Sequence, residues 1–243
     1  MENYNPVKLG IWNNEYEQRA NAILTQIKQH LVLKTIPLDG FVYKKCDYKS
    51  GSEMPVIDDT FREFGKYELW GDEVDSHAWF YKKIKFEKGE GRCELTVRTE
   101  KTTSLANNPQ FMLYFDGKIV QGLDVNHTSA VINEYGEKDV HVYAYTSGMH
   151  KEPYYFITQI DYIDEDLERL YYNLYIPTKT LPLIEQKTEE YQVLIKYIND
   201  TINLLDLREW KGESYRNSIK KANDFIENKF YKGYCKKSTA KVA

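Results

Sequence analysis

The chain has few cysteines, no long apolar run and no excess of positive charge, and each shortage removes a class of protein. Cys46, Cys93 and Cys235 are the only 3 cysteines among 243 residues, and they lack the close pairing of a metal knuckle or redox motif. They read as buried thiols of a reducing cytoplasm, where the sequons at Asn126 and Asn199 have no use. The longest unbroken apolar stretch, Phe111 to Phe115, is far below the roughly 18 residues of a membrane span, so no membrane partner is expected. Lys and Arg total 33 against 37 Asp and Glu, a net charge of -4. Nucleic acid is therefore not an expected partner, because phosphate binding needs a concentrated basic face. The one basic cluster, Lys232, Lys236, Lys237 and Lys241, reads as a solvated terminus. The opening Met1-Glu2-Asn3-Tyr4-Asn5-Pro6 has neither a basic start nor an apolar core, and no secretory signal is expected.

Catalytic signatures are scarce as well. Neither Gly-x-x-x-x-Gly-Lys-Ser/Thr nor a Gly-x-Gly-x-x-Gly following a strand occurs, and Gly89-Glu90-Gly91 is a turn between strands. Gly-x-Ser-x-Gly is missing. His30, His77, His127, His141 and His150 form no His-x-His or His-x-x-x-His pair, so local zinc ligation has no support. Asp161, Asp164, Glu165, Asp166 and Glu168 crowd one link, but the spacing of a calcium loop is absent and a solvated turn is the reading. The chain itself is expected to hold no metal and no cofactor.

What is present is hydrophobic content of 42% beside 29% charged residues, an ordinary globular balance. The apolar period changes twice. Trp12, Tyr16, Ala20, Ile23, Ile27 and Leu31 draw one stripe on a helix that Pro37 should end. Burying that stripe contributes on the order of 10 kcal/mol before entropy. From about residue 38 to 176 the period is two. Cys93, Leu95 and Val97 alternate with Glu94, Thr96 and Arg98; Val140, Val142 and Ala144 with His141, Tyr143 and Tyr145; Leu170, Tyr172, Leu174 and Ile176 with Tyr171, Asn173 and Tyr175. Asp116-Gly117, between Phe111–Phe115 and Ile119-Val120, is a strong hairpin signal. A helical period returns in Tyr191, Leu194, Ile195, Ile198, Ile202 and Leu205, and again in Tyr215, Ile219, Ala222, Ile226 and Phe230, with a short connection between.

The expected architecture is mainly β: an antiparallel, jelly-roll-like β-sandwich preceded by one helix and followed by a helical hairpin. Residues 1–37 supply a helix packed on the sandwich, 38–177 the sandwich and 178–243 the hairpin. Aromatics make up 14% of the chain, with 21 tyrosines. Trp70, Trp79, Trp210 and the outward tyrosines are candidates for stacking on sugar rings; filling of a core or interface is the competing reading.

Two stretches carry more than a pattern. One runs Phe64-Gly65-Lys66-Tyr67-Glu68-Leu69-Trp70-Gly71 through Trp79-Phe80. The other runs Asp116-Gly117, Gln121-Gly122-Leu123-Asp124 and Asn126-His127. In order and spacing the chain resembles the N-terminal region of the α-mannosidases of glycoside hydrolase family 38, cytosolic and bacterial branch, over nearly its whole length.

The resemblance implies an accessory domain. Its partner is the parent's own catalytic domain, which would hold zinc through a His-x-His-x-Asp motif that no position here matches. Ser238 to Ala243 then looks like the first strand of that domain, and the chain like a fragment. A homo-oligomer contact is a further expectation, as is a cytoplasmic location. Asp124, Asn126 and His127, and after them Asp75 and His77, are candidates for the rim of the sugar pocket or an interdomain contact. For the first three the alternative is an Asx turn that bonds its own backbone. The alternative for the whole chain is a sandwich that binds glycans itself.

Overall fold

The computed structural model describes residues 11–48, 53–101, 109–146 and 153–235. The side chain of Trp12, and all of His150, Lys236, Lys237, Lys241 and the segment Ser238 to Ala243, lie outside the described residues. The chain divides into two units, Leu33–Ile163 and the flanking stretches Met1–Val32 with Asp164–Ala243.

The first unit is a sandwich of two sheets. Its strands are β1 (Val32–Leu38), β2 (Val42–Cys46), β3 (Arg62–Glu63), β4 (Leu69–Trp70), β5 (Ser76–Phe86), β6 (Arg92–Lys101), β7 (Gln110–Phe115), β8 (Lys118–Leu123), β9 (Ser129–Val131), β10 (Gly136–Thr146) and β11 (Tyr154–Ile163). One sheet has the order β1-β11-β6-β9, with β4 also on β11; the other has the order β3-β2-β5-β10-β7-β8. β5 pairs antiparallel with β10 from Ser76 against Thr146 to Phe86 against Gly136. β6 pairs antiparallel with β11.

The expected period of two is what buries one face of each strand. Cys93, Leu95 and Val97 point inward from one sheet, and Ala78, Phe80, Val140, Val142 and Ala144 from the other. Phe80 lies flat on Phe156, with ring centroids 3.8 Å apart and planes 10° from parallel. The predicted hairpin forms at Asp116-Gly117, where φ is +49° and +78°. Two successive positive φ values match the twist of the flanking strands.

The second unit is helical: α1 (Ile11–Gln29), α2 (Glu165–Thr180), α3 (Glu189–Asn203) and α4 (Glu213–Phe225), the last continuing as a π-helix over Ile226–Cys235. The closing hairpin of α3 and α4 is as expected. Within this unit α1 packs on α2 and α3, with Arg19 Nη2 donating to Asn203 Oδ1 at 2.8 Å. Its buried line is Ala20, Leu24 and Ile27, while Tyr16 is exposed. It also ends at Gln29 instead of running on to Pro37. Pro37 lies in β1, at the end of its sheet's strand order, the kind of strand in which proline is tolerated.

The strand expected over 170–176 is the helix α2. Asp164 caps it, its side chain accepting from Leu167 N, and Glu165, Asp166 and Glu168 fill the first turn, favourable at the positive end of the helix dipole. Leu167, Leu170, Tyr171 and Leu174 are buried at steps of three and four, while Tyr172 and Ile176 face solvent. Pro177 lies inside this helix. Its ring leaves the Asn173 carbonyl without an i+4 donor, and Tyr231 Oη supplies one at 3.1 Å.

A helix and a strand make opposite predictions here. Leu170→Ala should cost about 2–5 kcal/mol, and Tyr172→Ala no more than about 0.5 kcal/mol, both measured by urea denaturation. Equal losses would mean that the two residues share a face, as in a strand.

Candidate functional site

The outward face of the six-stranded sheet holds the main site. Because β5 and β10 pair in this register, His77 stands opposite Tyr145, Trp79 opposite Tyr143 and Tyr81 opposite His141. On the other side of β10, Gln110 is opposite Tyr145 and Met112 opposite Tyr143. Directly opposed residues hold their Cβ atoms within about 5.5 Å, so the aromatic side chains close into a band. At one end of it is a hollow of about 300 Å³, lined by Asp75, His77, Tyr143 and Tyr145, with Tyr48, Gln110 and Met112 around them.

His77 is its centre. The residue is only 6% exposed, and its ring stacks on Tyr145 with centroids 4.8 Å apart. Nδ1 shares a hydrogen bond with the Tyr143 hydroxyl. Nε2 is buried without a hydrogen-bond partner. The nearest carboxylate oxygen, Asp75 Oδ1, is 3.7 Å away, beyond hydrogen-bond length. Asp75 sits at φ +61°, a region Asp tolerates better than most residues.

Burial pushes the Tyr143 hydroxyl up to about 12. Burial first, and then its bond to Asp75, raises that of Tyr145. Both stay protonated at neutral pH. The hollow therefore offers neutral hydroxyls, one amide, one carboxylate, an open imidazole nitrogen and aromatic faces, a set suited to binding.

Asp124, Asn126 and His127 lie elsewhere. Asp124 Oδ1 accepts from Asn126 N and His127 N, each at 2.8 Å, and its own N–H donates to His127 O at 3.0 Å. The three residues thus form the self-bonded turn that was one of the two expectations for them. Asp124 also borders a separate hollow of about 220 Å³ with Arg98 and Thr128.

Two of the three candidate tryptophans are buried. Trp70, 1% exposed, is locked in the core among Phe80, Phe111 and Tyr154. Trp79 is 2% exposed and covered by Tyr114 and Tyr143. Neither offers a face to a ligand, which corrects the stacking role expected of them; their aromatic surface is used in packing. Trp210 is partly exposed in the helical unit, with Lys211 Nζ 4.2 Å above its ring.

The acidic cluster also differs from a solvated turn. Asp161 is buried in β11 and accepts from Thr35, Thr96 and Gln159, while the others open α2. Among the described residues no three His, Cys, Asp or Glu side chains converge as a metal would need. No described helix is long and apolar enough to cross a membrane.

Sequence reasoning named Asp75 and His77 but missed Tyr48, Gln110 and Met112, and treated Tyr143 and Tyr145 only as outward tyrosines. Their alternation was visible; the pairing that gathers them was not.

No protein-family model matches this sequence. No curated protein matches it either. Among solved structures it is similar to a calcium-binding mutant of Bacteroides uniformis β-glucuronidase 2, at 13% identity and a TM-score of 0.35, over 52% of this chain and 18% of that one. It is also similar to the same enzyme covalently bound to cyclophellitol-6-carboxylate aziridine, at 11% identity and a TM-score of 0.38, over 53% of this chain. The chain thus spans 18% of the length of each.

The Asp124 turn makes a titration prediction. Backbone N–H groups of Asn126, then of His127, hold its carboxyl below the ordinary aspartate value. A carboxyl depressed on folding stabilises the turn above its unfolded value, about 3.9, and that contribution is lost as pH falls through the folded value. An NMR titration of the side-chain carboxyl should find a midpoint below that of an unstructured aspartate. A midpoint at or above it means the turn is not formed in solution.

Proposed function

We propose that this chain is a non-catalytic accessory region of a glycoside hydrolase acting on α-mannosides, and that its partner is the catalytic domain of the same protein. The observation that carries the reading is how the motif residues are employed. Trp70 fills the core, and Gly71 at φ +78° leaves no room for a Cβ, which would stand 2.9 Å from Thr146. Asp116-Gly117 turns a hairpin, Gln121 Nε2 donates to Ser129 O, and Asp124 closes its loop. These are architectural tasks, suited to a region that supports chemistry done elsewhere.

The hollows point the same way. Among the described residues, three of them, of about 300, 220 and 170 Å³, are lined by one carboxylate each, Asp75, Asp124 and Glu87. Glycoside hydrolysis ordinarily needs two facing carboxyl groups. In this reading zinc belongs to the catalytic domain, the parent works in the cytoplasm, and a contact between copies of the parent involves this region.

Two measurements test the proposal. The purified chain should not turn over 4-nitrophenyl α-D-mannopyranoside, and the native reading frame should continue beyond codon 243 into a His-x-His-x-Asp motif. Turnover by the chain alone, or a native stop codon directly after Ala243, would overturn it.

A further inference from the structure

We propose that the hollow built around His77 on the sandwich's outward face binds one neutral sugar residue. This deepens the carbohydrate reading above and rests on it for the choice of ligand class, but its geometry stands apart.

The first observation is the unsatisfied nitrogen. His77 is more than nine-tenths buried, and its Nε2 lines a hollow without a hydrogen-bond partner. A buried polar atom left unpaired is costly, and a ligand that bonds it removes the cost.

The second is the gap of 3.7 Å between that nitrogen and Asp75 Oδ1. A hydroxyl group serves both sides of it. Its one hydrogen goes to the carboxylate, and its oxygen accepts from Nε2–H in the tautomer whose Nδ1 accepts from the Tyr143 hydroxyl. A carboxylate or phosphate would instead meet Asp75 as a like charge, with no Lys or Arg among the described lining residues to offset it.

The third is the wall. Tyr145 stacks against His77, and the Tyr48 ring, largely exposed, stands at 68° to the imidazole. The negative faces of such rings suit the weakly positive C–H bonds of a pyranose. The volume, about 300 Å³, is at the lower end for small-molecule pockets. It suits a single ring better than a chain of them.

The experiment is an NMR titration of the whole chain with methyl α-D-mannopyranoside, methyl α-D-glucopyranoside and tetramethylammonium chloride in turn. At least one glycoside should give saturable shifts at Tyr143 and Tyr145, with millimolar affinity. Asp75→Asn keeps a residue tolerant of positive φ and should weaken that binding about tenfold, as loss of a charge-assisted hydrogen bond implies. Tyr48→Ala removes an exposed ring and should weaken it too, whereas Trp210→Ala should leave it unchanged.

Absence of saturation by both glycosides overturns the proposal. Wild-type affinity in Asp75→Asn does so as well, as does saturation by tetramethylammonium alone, which would make the hollow a cation site. None of these results touches the reading-frame test, so the accessory role can stand when the sugar site falls.

Discussion

The pairing of β5 with β10 is the constraint on which the sandwich and its site both depend. Strand residues alternate between faces, so one register sorts the same two strands into an inner and an outer set. The inner set, Ala78 and Phe80 with Val142 and Ala144, builds the core. The outer set, His77 and Trp79 with Tyr143 and Tyr145, builds the aromatic band and its hollow. A slip of one residue would send Phe80 to solvent and His77 into the core. The energy of burying Phe80 against Phe156 therefore also fixes where His77 stands. No separate interaction has to hold the site in register.

The helical unit is organised by a different device. Its core is mostly aliphatic, from Ala20 and Leu24 through Leu167, Leu170 and Ile198 to Ile219 and Ile226. Its polar groups solve local accounting problems at helix ends and breaks. Asp164 satisfies an N–H that would otherwise be orphaned at the start of α2. Tyr231 reaches the carbonyl that Pro177 strands, joining the π-helix to α2 across 58 residues of sequence. That bond lets a proline occupy a helix interior without leaving a buried acceptor unmet.

Much of this was legible in the chain, for identifiable reasons. The hairpin at Asp116-Gly117 and the helices carrying Tyr191 and Tyr215 are written in spacing between near neighbours. The helix over 165–180 was misread because Leu170, Tyr171, Tyr172, Leu174, Tyr175 and Ile176 are nearly all apolar or aromatic, so a period of two can be drawn through them as readily as one of 3.6. The arbiter was an acidic cluster one turn upstream, which looked like a link and is a helix start. Pro37 misleads in the opposite direction: its position suggests a helix stop, yet it belongs to a strand at the end of its sheet's order.

The site was legible only in part, for a deeper reason. Local motifs record places where the backbone itself is unusual, and here they do: Gly71, Asp75, Asp116 and Gly117 all have positive φ. Such positions restrict the residue type, so they leave a pattern that can be read without a structure. A side chain on a regular strand leaves none, because its neighbours in space come from another strand at an unstated register. Tyr143 and Tyr145 are ordinary outward strand residues until β5 is laid beside them, and Gln110 until β7 is. Asp75 and His77 stand out in the sequence only because they lie in the stretch that carries the family resemblance. The rest of the hollow is a product of sheet assembly, and long-range pairing is the step that separates a list of outward tyrosines from a binding site.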